Sequence, residues 1–447
     1  MQCFNLRAAL LSCQYAAAPT RALPMLTIPF DTFTLGNGLP VILHVDRSSP
    51  LVAVDLWYHV GSKDESPGRT GFAHLFEHLM FMGSRNAPYP AFDSIMESWG
   101  GHNNGTTSND RTNYYEIGPR NLLETFLWLE ADRLATLPDV ITEEELERQR
   151  KVVQNERRQS YENRPYARAE LAIPEAMYPA EHPYHWPTIG SHADLAAATV
   201  ADVREFFERF YRPSNASLVI GGDFDPAVAR DLVERFFGWQ PKLPPPTRAP
   251  RPEAPQLASN IELAMTDKVQ LPRLRLSWHS PALFTAGDAD LDMAAHVLGG
   301  GKSSRLYKAL VFEQRIAQDV FAYQGSQMLS SLFQIGATAK PGHGLDVIAR
   351  AVQTEIDRLA AEGPTDAELA RARNTHLADF YKGLDHLQTR ADLLNHYQHV
   401  LGDPDGVGRD VARYQQTTRE SVRAAFARVV SAHRLDLRML PEAPVTA

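Results

Sequence analysis

Three polar side chains interrupt the apolar run GRTGFAHLFEHLMFMGS at residues 68–84: His74, Glu77 and His78. On a helix, imidazoles four apart project from one face about a turn apart, and a carboxylate three after the first borders that face. Phe72, Leu75, Phe76, Leu79, Met80 and Phe81 surround them, so the pattern predicts a buried helix over 71–82, apolar nearly all round. An unpaired imidazole or carboxylate in such surroundings costs about 1–3 kcal/mol on mutational scales, so the three need strong partners. H-x-x-E-H is the inverse of the H-E-x-x-H zinc pattern and points to metal-assisted hydrolysis. The bland alternative is a pair of core histidines satisfied by backbone carbonyls. Their i, i+4 spacing and the flanking Glu77 argue against it.

A hydrolytic zinc site uses three protein ligands and keeps one position open. The segment TEEELERQRKVVQNERRQS (142–160) offers the third. Thr142 and Glu145 form a capping box that sets the helix start. Leu146, Gln149, Val153 and Glu156 then follow at spacings of three and four, which puts Glu156 on the apolar stripe. Most helical glutamates are solvated; this one sits in line with a valine.

His74-x-x-Glu77-His78, followed after 77 intervening residues by Glu156, resembles the M16 (pitrilysin, inverzincin) zinc metallopeptidases, in particular the zinc-carrying chains of the mitochondrial-processing-peptidase-like branch. The resemblance runs from about residue 30 to 440 and includes TNYYE, VVQNERRQ and LGGGKSSRLY. It implies an α+β fold of two homologous lobes, each a mainly antiparallel sheet packed with helices. It implies one Zn2+ per chain held by His74, His78 and Glu156, with Glu77 as the general base of peptide hydrolysis. It also implies substrate binding by strand addition, with Asn104 on the edge strand. An ordinary hairpin is the plainer reading of that run.

Two positions depart from the family pattern. Where members often carry a second glutamate seven residues before the distal ligand, this chain has Gln149, which could still hydrogen-bond to a ligand but supplies no charge. The Arg and Tyr, seven apart, with which active single-chain members hold the substrate carbonyl fall here on Val311 and Gln318. Losing such donors typically costs about a hundredfold or more. Arg305, Tyr307 and Arg315 are nearby in the wrong register. The expectation is therefore a homologous partner subunit that supplies the pair, in a heterodimer; a homodimer would need substitute donors.

The elements that must position these residues follow from the rest of the chain. Among 447 residues, 44% are hydrophobic and 22% charged, enough for several cores. LPVILHVD and LVAVDLWYHV read as strands, as do 103–117 and 217–225; 121–136 and 142–162 read as helices. Seven prolines in 241–255 mark an extended linker. The expected division is a leader or signal-like segment at 1–25, a zinc-binding lobe at 26–240, a linker at 241–258, and a homologous lobe without the motif at 259–447. DRSSPLVAVDLWYHVGS and DKVQLPRLRLSWHSPAL carry the trace of that repeat.

A net charge of −9 without a basic stripe excludes nucleic acid as an expected partner, and no run is long and apolar enough to span a membrane. Cys3 and Cys13 are the only cysteines, so neither a disulfide framework nor thiolate ligation serves the body of the chain. Residues 1–25 are either a poor export signal or a leader before a start at Met25, and the reading favours the cytoplasm over the periplasm. LGGGKSSRL fails as a phosphate loop because His296 stands where the first glycine is needed. His182 and His185 read as loop packing. The function expected is a zinc endopeptidase acting on unfolded peptides. A non-catalytic assembly or chaperone-like subunit is the main alternative, and a peptide-binding module with structural zinc a third.

Overall fold

The computed structural model describes residues 26–442. The stretch 1–25 expected as a leader or signal-like segment, with Cys3 and Cys13, lies outside them. Eleven strands form two sheets. The first contains β1 (Asp31–Thr34), β2 (Pro40–Val45), β3 (Leu51–Tyr58), β4 (His102–Thr107), β5 (Thr112–Pro119) and β6 (Ala216–Gly222), in the order β1-β2-β6-β3-β5-β4. The second contains β7 (Ile261–Asp267), β8 (Arg273–Ser280), β9 (Ala317–Gly325), β10 (Ser331–Ala339) and β11 (Leu435–Pro441), in the order β7-β11-β8-β10-β9. In each sheet one parallel pair, β2 with β6 and β7 with β11, continues into antiparallel neighbours. The two sheets therefore share one five-stranded topology, with β1 added to the first. The fold is α+β in two lobes.

Alternation along β3 explains how its sheet is covered. Val52, Val54, Leu56 and Tyr58 join the core beneath α1 (Phe72–Leu79) and α3 (Leu123–Val140), with the short α2 (Ala91–Trp99) between these two in the chain. Asp55 and Trp57 point the other way, toward helix Leu387–Leu401, which belongs to the second half of the chain but packs on β6 and β3. The exchange is reciprocal, because helix Arg168–Met177 of the first half packs on β11. Ala169, Ile173 and Met177 share a core with Leu435, Leu437 and Met439. Each half thus covers the other's sheet. Between β6 and β7 the chain forms the helix Pro226–Phe237, and residues 241–260 that follow carry no regular element. Arg248 pins this stretch to the first lobe through His59 O and Asn215 Oδ1, and Arg251 pins it to Met328 O in the second.

Residues 103–117, read as one strand with an ordinary hairpin as the plainer alternative, form two strands around a turn at Ser108–Arg111. Ser108 N donates to Arg111 O at 2.9 Å, closing the hairpin. Helix α4 (Glu143–Arg157) begins at the expected capping box: Thr142 N donates to Glu145 Oε2 at 2.9 Å and Glu145 N to Thr142 Oγ1 at 3.3 Å. After Arg157 the backbone widens into a π-turn, Arg158–Glu162, which begins two residues beyond Glu156.

Candidate metal centre

Helix α1 is shorter and less enclosed than expected. It ends at Leu79, so Met80, Phe81 and Met82 leave the helix and do not close over its polar face. Phe72, Ala73, Leu75, Phe76 and Leu79 face the core, where Phe76 meets Phe206, Phe207 and Tyr211. His74 and His78 occupy the other side with 12% and 23% of their side chains exposed, so a ligand can reach them.

Helix α4 packs across that face and brings Glu156 to both imidazoles. Glu156 Oε2 stands 3.6 Å from His74 Nε2 and 3.3 Å from His78 Nε2. One ligand atom from each of the three lies within 4.8 Å of the others, and this is the one such cluster of His, Cys, Asp and Glu among the described residues. Ligands at about 2.0–2.2 Å from a common tetrahedral zinc stand roughly 3.3–3.6 Å apart, and the two Nε2–Oε2 separations have that size. The polar environment agrees. His74 Nδ1 is buried without a hydrogen-bond partner, and its Nε2 is beyond hydrogen-bond reach of Glu156. Burial, then the neighbouring His78, holds the His74 pKa down at about 4, so its nitrogen offers a lone pair rather than a charge. His78, opposed by burial, holds Glu156 below the usual carboxylate range. Two imidazoles, one carboxylate and an accessible face suit a divalent cation with an open position.

Glu77 lies beside the cluster. Its Oε2 accepts a hydrogen bond from Thr107 Oγ1 at 2.5 Å. Burial pushes its pKa up, while Thr107 and His78 oppose the shift. Strand β4 runs against it so closely that a Cβ at Gly105 would stand 3.1 Å from Glu77 Cγ. β4 is the last strand of its sheet, with one side unpaired, and Asn104 lies exposed on it with Oδ1 accepting from Gly105 N. Thus the edge strand passes directly by the carboxylate.

The remaining positions are placed as follows. Gln149 is buried, and its Nε2 donates to Met82 Sδ at 2.8 Å, away from the cluster. Val311 is half-buried against the second core and Gln318 is exposed at the start of β9; no recorded side-chain hydrogen bond or ion pair joins either to the cluster among the described residues. Arg305 forks onto Glu368 at 2.8 and 2.7 Å and reaches Gly363 O, which is structural work. The glycine run at 299–301 makes a close approach to β9, since a Cβ at Gly299 would meet Ala322 N at 2.2 Å. His182 stacks on Tyr178 and accepts from Tyr184 N, and His185 Nδ1 meets Tyr178 O.

Sequence reasoning overlooked what holds α1. Its N-cap, Gly71, has φ 85° and no capping side chain, and a Cβ there would meet Gly190 Cα at 2.8 Å. Glu65 supplies the acceptors instead: Oε2 takes Gly71 N at 2.9 Å and Oε1 takes Ala73 N at 2.7 Å. Asp194 takes Thr70 N and Oγ1 at 2.9 and 2.5 Å. These carboxylates meet the orphan N–H groups and the positive end of the zinc-motif helix. The acid six residues before Gly71 was the only local signal; Asp194 had none.

A two-lobed α+β chain that gathers two histidines of an H-x-x-E-H helix and a distant glutamate beside a free sheet edge is built as a metallopeptidase is. Family models agree: "Insulinase (Peptidase family M16)" matches residues 40–186 and "Peptidase M16 inactive domain" matches 197–375. The chain belongs to peptidase family M16. It is 29% identical over 371 residues to zinc protease PqqE of Helicobacter pylori, covering 82% of this chain and 83% of that one. It is 25% identical over 417 residues to an Arabidopsis thaliana protein described as "Probable mitochondrial-processing peptidase subunit beta, mitochondrial", covering 89% and 72%. The crystal structure of a protease from Helicobacter pylori superposes with a TM-score of 0.87 at 26% identity, covering 93% of this chain and all of that one. No helix among the described residues is long and apolar enough to cross a membrane.

Proposed function

We propose that the chain is a zinc-dependent metalloendopeptidase that hydrolyses peptide bonds in unfolded peptides or short protein segments. The observation that carries this is the convergence of His74, His78 and Glu156 within 4.8 Å next to Glu77 and the open edge of β4. When bound, zinc supplies Lewis acidity and makes water acidic enough to yield a nucleophile near neutral pH. Glu77 takes the proton of the attacking water and hands it to the leaving amine, held in place for both by Thr107. The unpaired N–H and C=O groups of β4 align an extended peptide with little demand on its sequence. Backbone pairing of this kind excludes folded segments, because their backbone groups are already engaged.

Val311 and Gln318 favour a half-enzyme. Neither can donate to a developing oxyanion as an Arg and a Tyr would, so the chain acts as the catalytic subunit of a dimer whose homologous partner supplies those donors. The alternative, a non-catalytic subunit that retains the fold and the metal, is disfavoured by the retained Glu77. Proteolysis of mixed unfolded peptides by this chain alone, with zinc measured in the same sample, tests both points. About one zinc per chain without turnover supports the half-enzyme, and turnover on adding a partner chain completes the case. Brisk cleavage by the chain alone removes the need for a partner. Absence of bound zinc overturns the proposal.

A further inference from the structure

Between the lobes lies a cleft in two connected parts. One is a cavity of about 310 Å3 walled by Tyr178, Tyr184, Trp186 and Tyr323, and it begins at Asn109 in the turn after β4. The other, about 330 Å3, is lined by Ser160, Arg164, Arg273 and Arg275. Tyr161 and Glu170 line both, which makes the cleft continuous. Tyr161 follows Glu156 by five residues, in the π-turn, and burial, then the carboxylates of Glu156 and Glu170, raises the pKa of its hydroxyl.

The second cavity has a surplus of donors. Arg275 is buried with 5% of its side chain exposed; it engages Glu170, Tyr323 Oη at 2.9 Å and Gln334 Oε1, and its Nε remains buried without a partner. Arg273 stacks on Tyr166 at 3.8 Å, donates from Nε to Thr338 Oγ1 at 2.7 Å and pairs loosely, at 3.5 Å, with Asp319. Among the described residues, Arg164 is exposed and forms no ion pair, and the Ser160 and Tyr161 hydroxyls form no hydrogen bond. Glu170 is the one carboxylate in the lining. Planar guanidinium groups beside spare hydroxyls match a carboxylate, which accepts through two oxygens.

We infer that this interlobe cleft is a peptide subsite that recognises a carboxylate, either the C-terminus of the bound peptide or an acidic side chain. An aromatic-walled stretch carries the peptide from the β4 edge to the arginines. The inference rests on the reading of the chain as a peptidase, but its test is a binding measurement. A labelled unfolded peptide with one internal Glu is titrated onto zinc-loaded Glu77→Gln protein. It is compared with the same peptide amidated at its C-terminus and with a Glu-to-Gln version. One of the two changes is expected to weaken binding about tenfold, the usual scale for a charge-assisted contact, and which one identifies the source of the carboxylate. Arg164→Ala, at an exposed position that folding does not need, and Arg273→Gln are expected to shrink that difference to within about twofold. Equal affinity for all three peptides, no peptide binding, or a preference that survives both substitutions overturns the inference. A carboxylate preference in a protein whose unsubstituted form cleaves nothing, even with a homologous partner chain added, sustains the subsite and sinks the peptidase reading instead.

Discussion

The two lobes pose the same structural question and answer it differently. Each has the five-stranded order with one parallel pair, and each packs a helix following β3 or β8 against a helix begun by a Thr-x-x-Glu capping box. In the first lobe these are α1 and α4, with Glu156 fourteen residues beyond Thr142. In the second they are Asp288–Gly299 and Asp366–Gly383, with Asp379 fourteen residues beyond Thr365 and with Asp292 and His296 four apart. Even so, nothing converges there. Asp292 accepts from Tyr414 Oη at 2.9 Å and is pushed up to about 7 by burial and by Asp288. His296 faces His376 at 5.9 Å, and Asp379 is exposed, paired with Lys382 at 3.7 Å. A shared scaffold therefore does not make a site. Where each carboxylate turns, and what competes for it, decides whether three lone pairs meet.

The largest expected effect separates the lobes by chemistry. Glu77→Gln should lower peptide turnover by about a thousandfold while zinc remains bound, within the range of general-base catalysis. Turnover that survives with zinc bound would assign the base elsewhere. Next comes the metal itself. His74→Ala or chelation should remove zinc and, at free zinc a hundredfold above its Kd, lower the stability of the folded chain by about 2.7 kcal/mol. Calorimetry with and without chelator measures it, and an unchanged melting temperature would argue against a site in this lobe.

Glu65→Gln should weaken zinc binding about tenfold, as loss of a supporting contact does, with the fold intact. Competition with a chromogenic chelator and exchange rates of the α1 amides would show it. Normal affinity with an unfrayed α1 would reduce Glu65 to packing. A smaller effect tests the exchanged interface. Asp55, buried against helix Leu387–Leu401, is raised to about 8 by burial and then by Asp392. Its folded pKa lies above the unfolded one, so its contribution to stability is fully present at low pH and fades as pH rises from about 4 through 8. The melting temperature of Asp55→Asn should therefore gain on wild type between pH 5 and pH 8; a parallel pair of curves would refute the assignment. The smallest effect is the sharpest control: His296→Ala should leave zinc content unchanged at about one per chain.

Much of the site was legible because its signals are local. Helix periodicity alone puts His74 and His78 on one face, and the box at Thr142 and Glu145 sets the phase of α4 that points Glu156 inward. Alternation in β3 and the proline run at 241–255 showed a strand and a break. Residues 103–117 read as a single strand because a polar turn of Ser, Asn, Asp and Arg differs little in composition from the Thr- and Asn-rich strands around it. The helix ending at Leu79 was also missed, since Met80, Phe81 and Met82 continue the apolar pattern without continuing the backbone.

Residue types and short-range spacing, then, determined the groups this chain can bring to bear: two imidazoles, a carboxylate bordering them and a phased glutamate. Tertiary structure alone decided that α4 crosses α1 closely enough to join them, that Gln149 turns to Met82, and that Glu65 and Asp194 cap the motif helix. It also decided that each half covers the other's sheet. Periodicity is written into a few consecutive residues, whereas these contacts close loops of tens to hundreds of residues, and only the packing of whole elements selects among their possible partners.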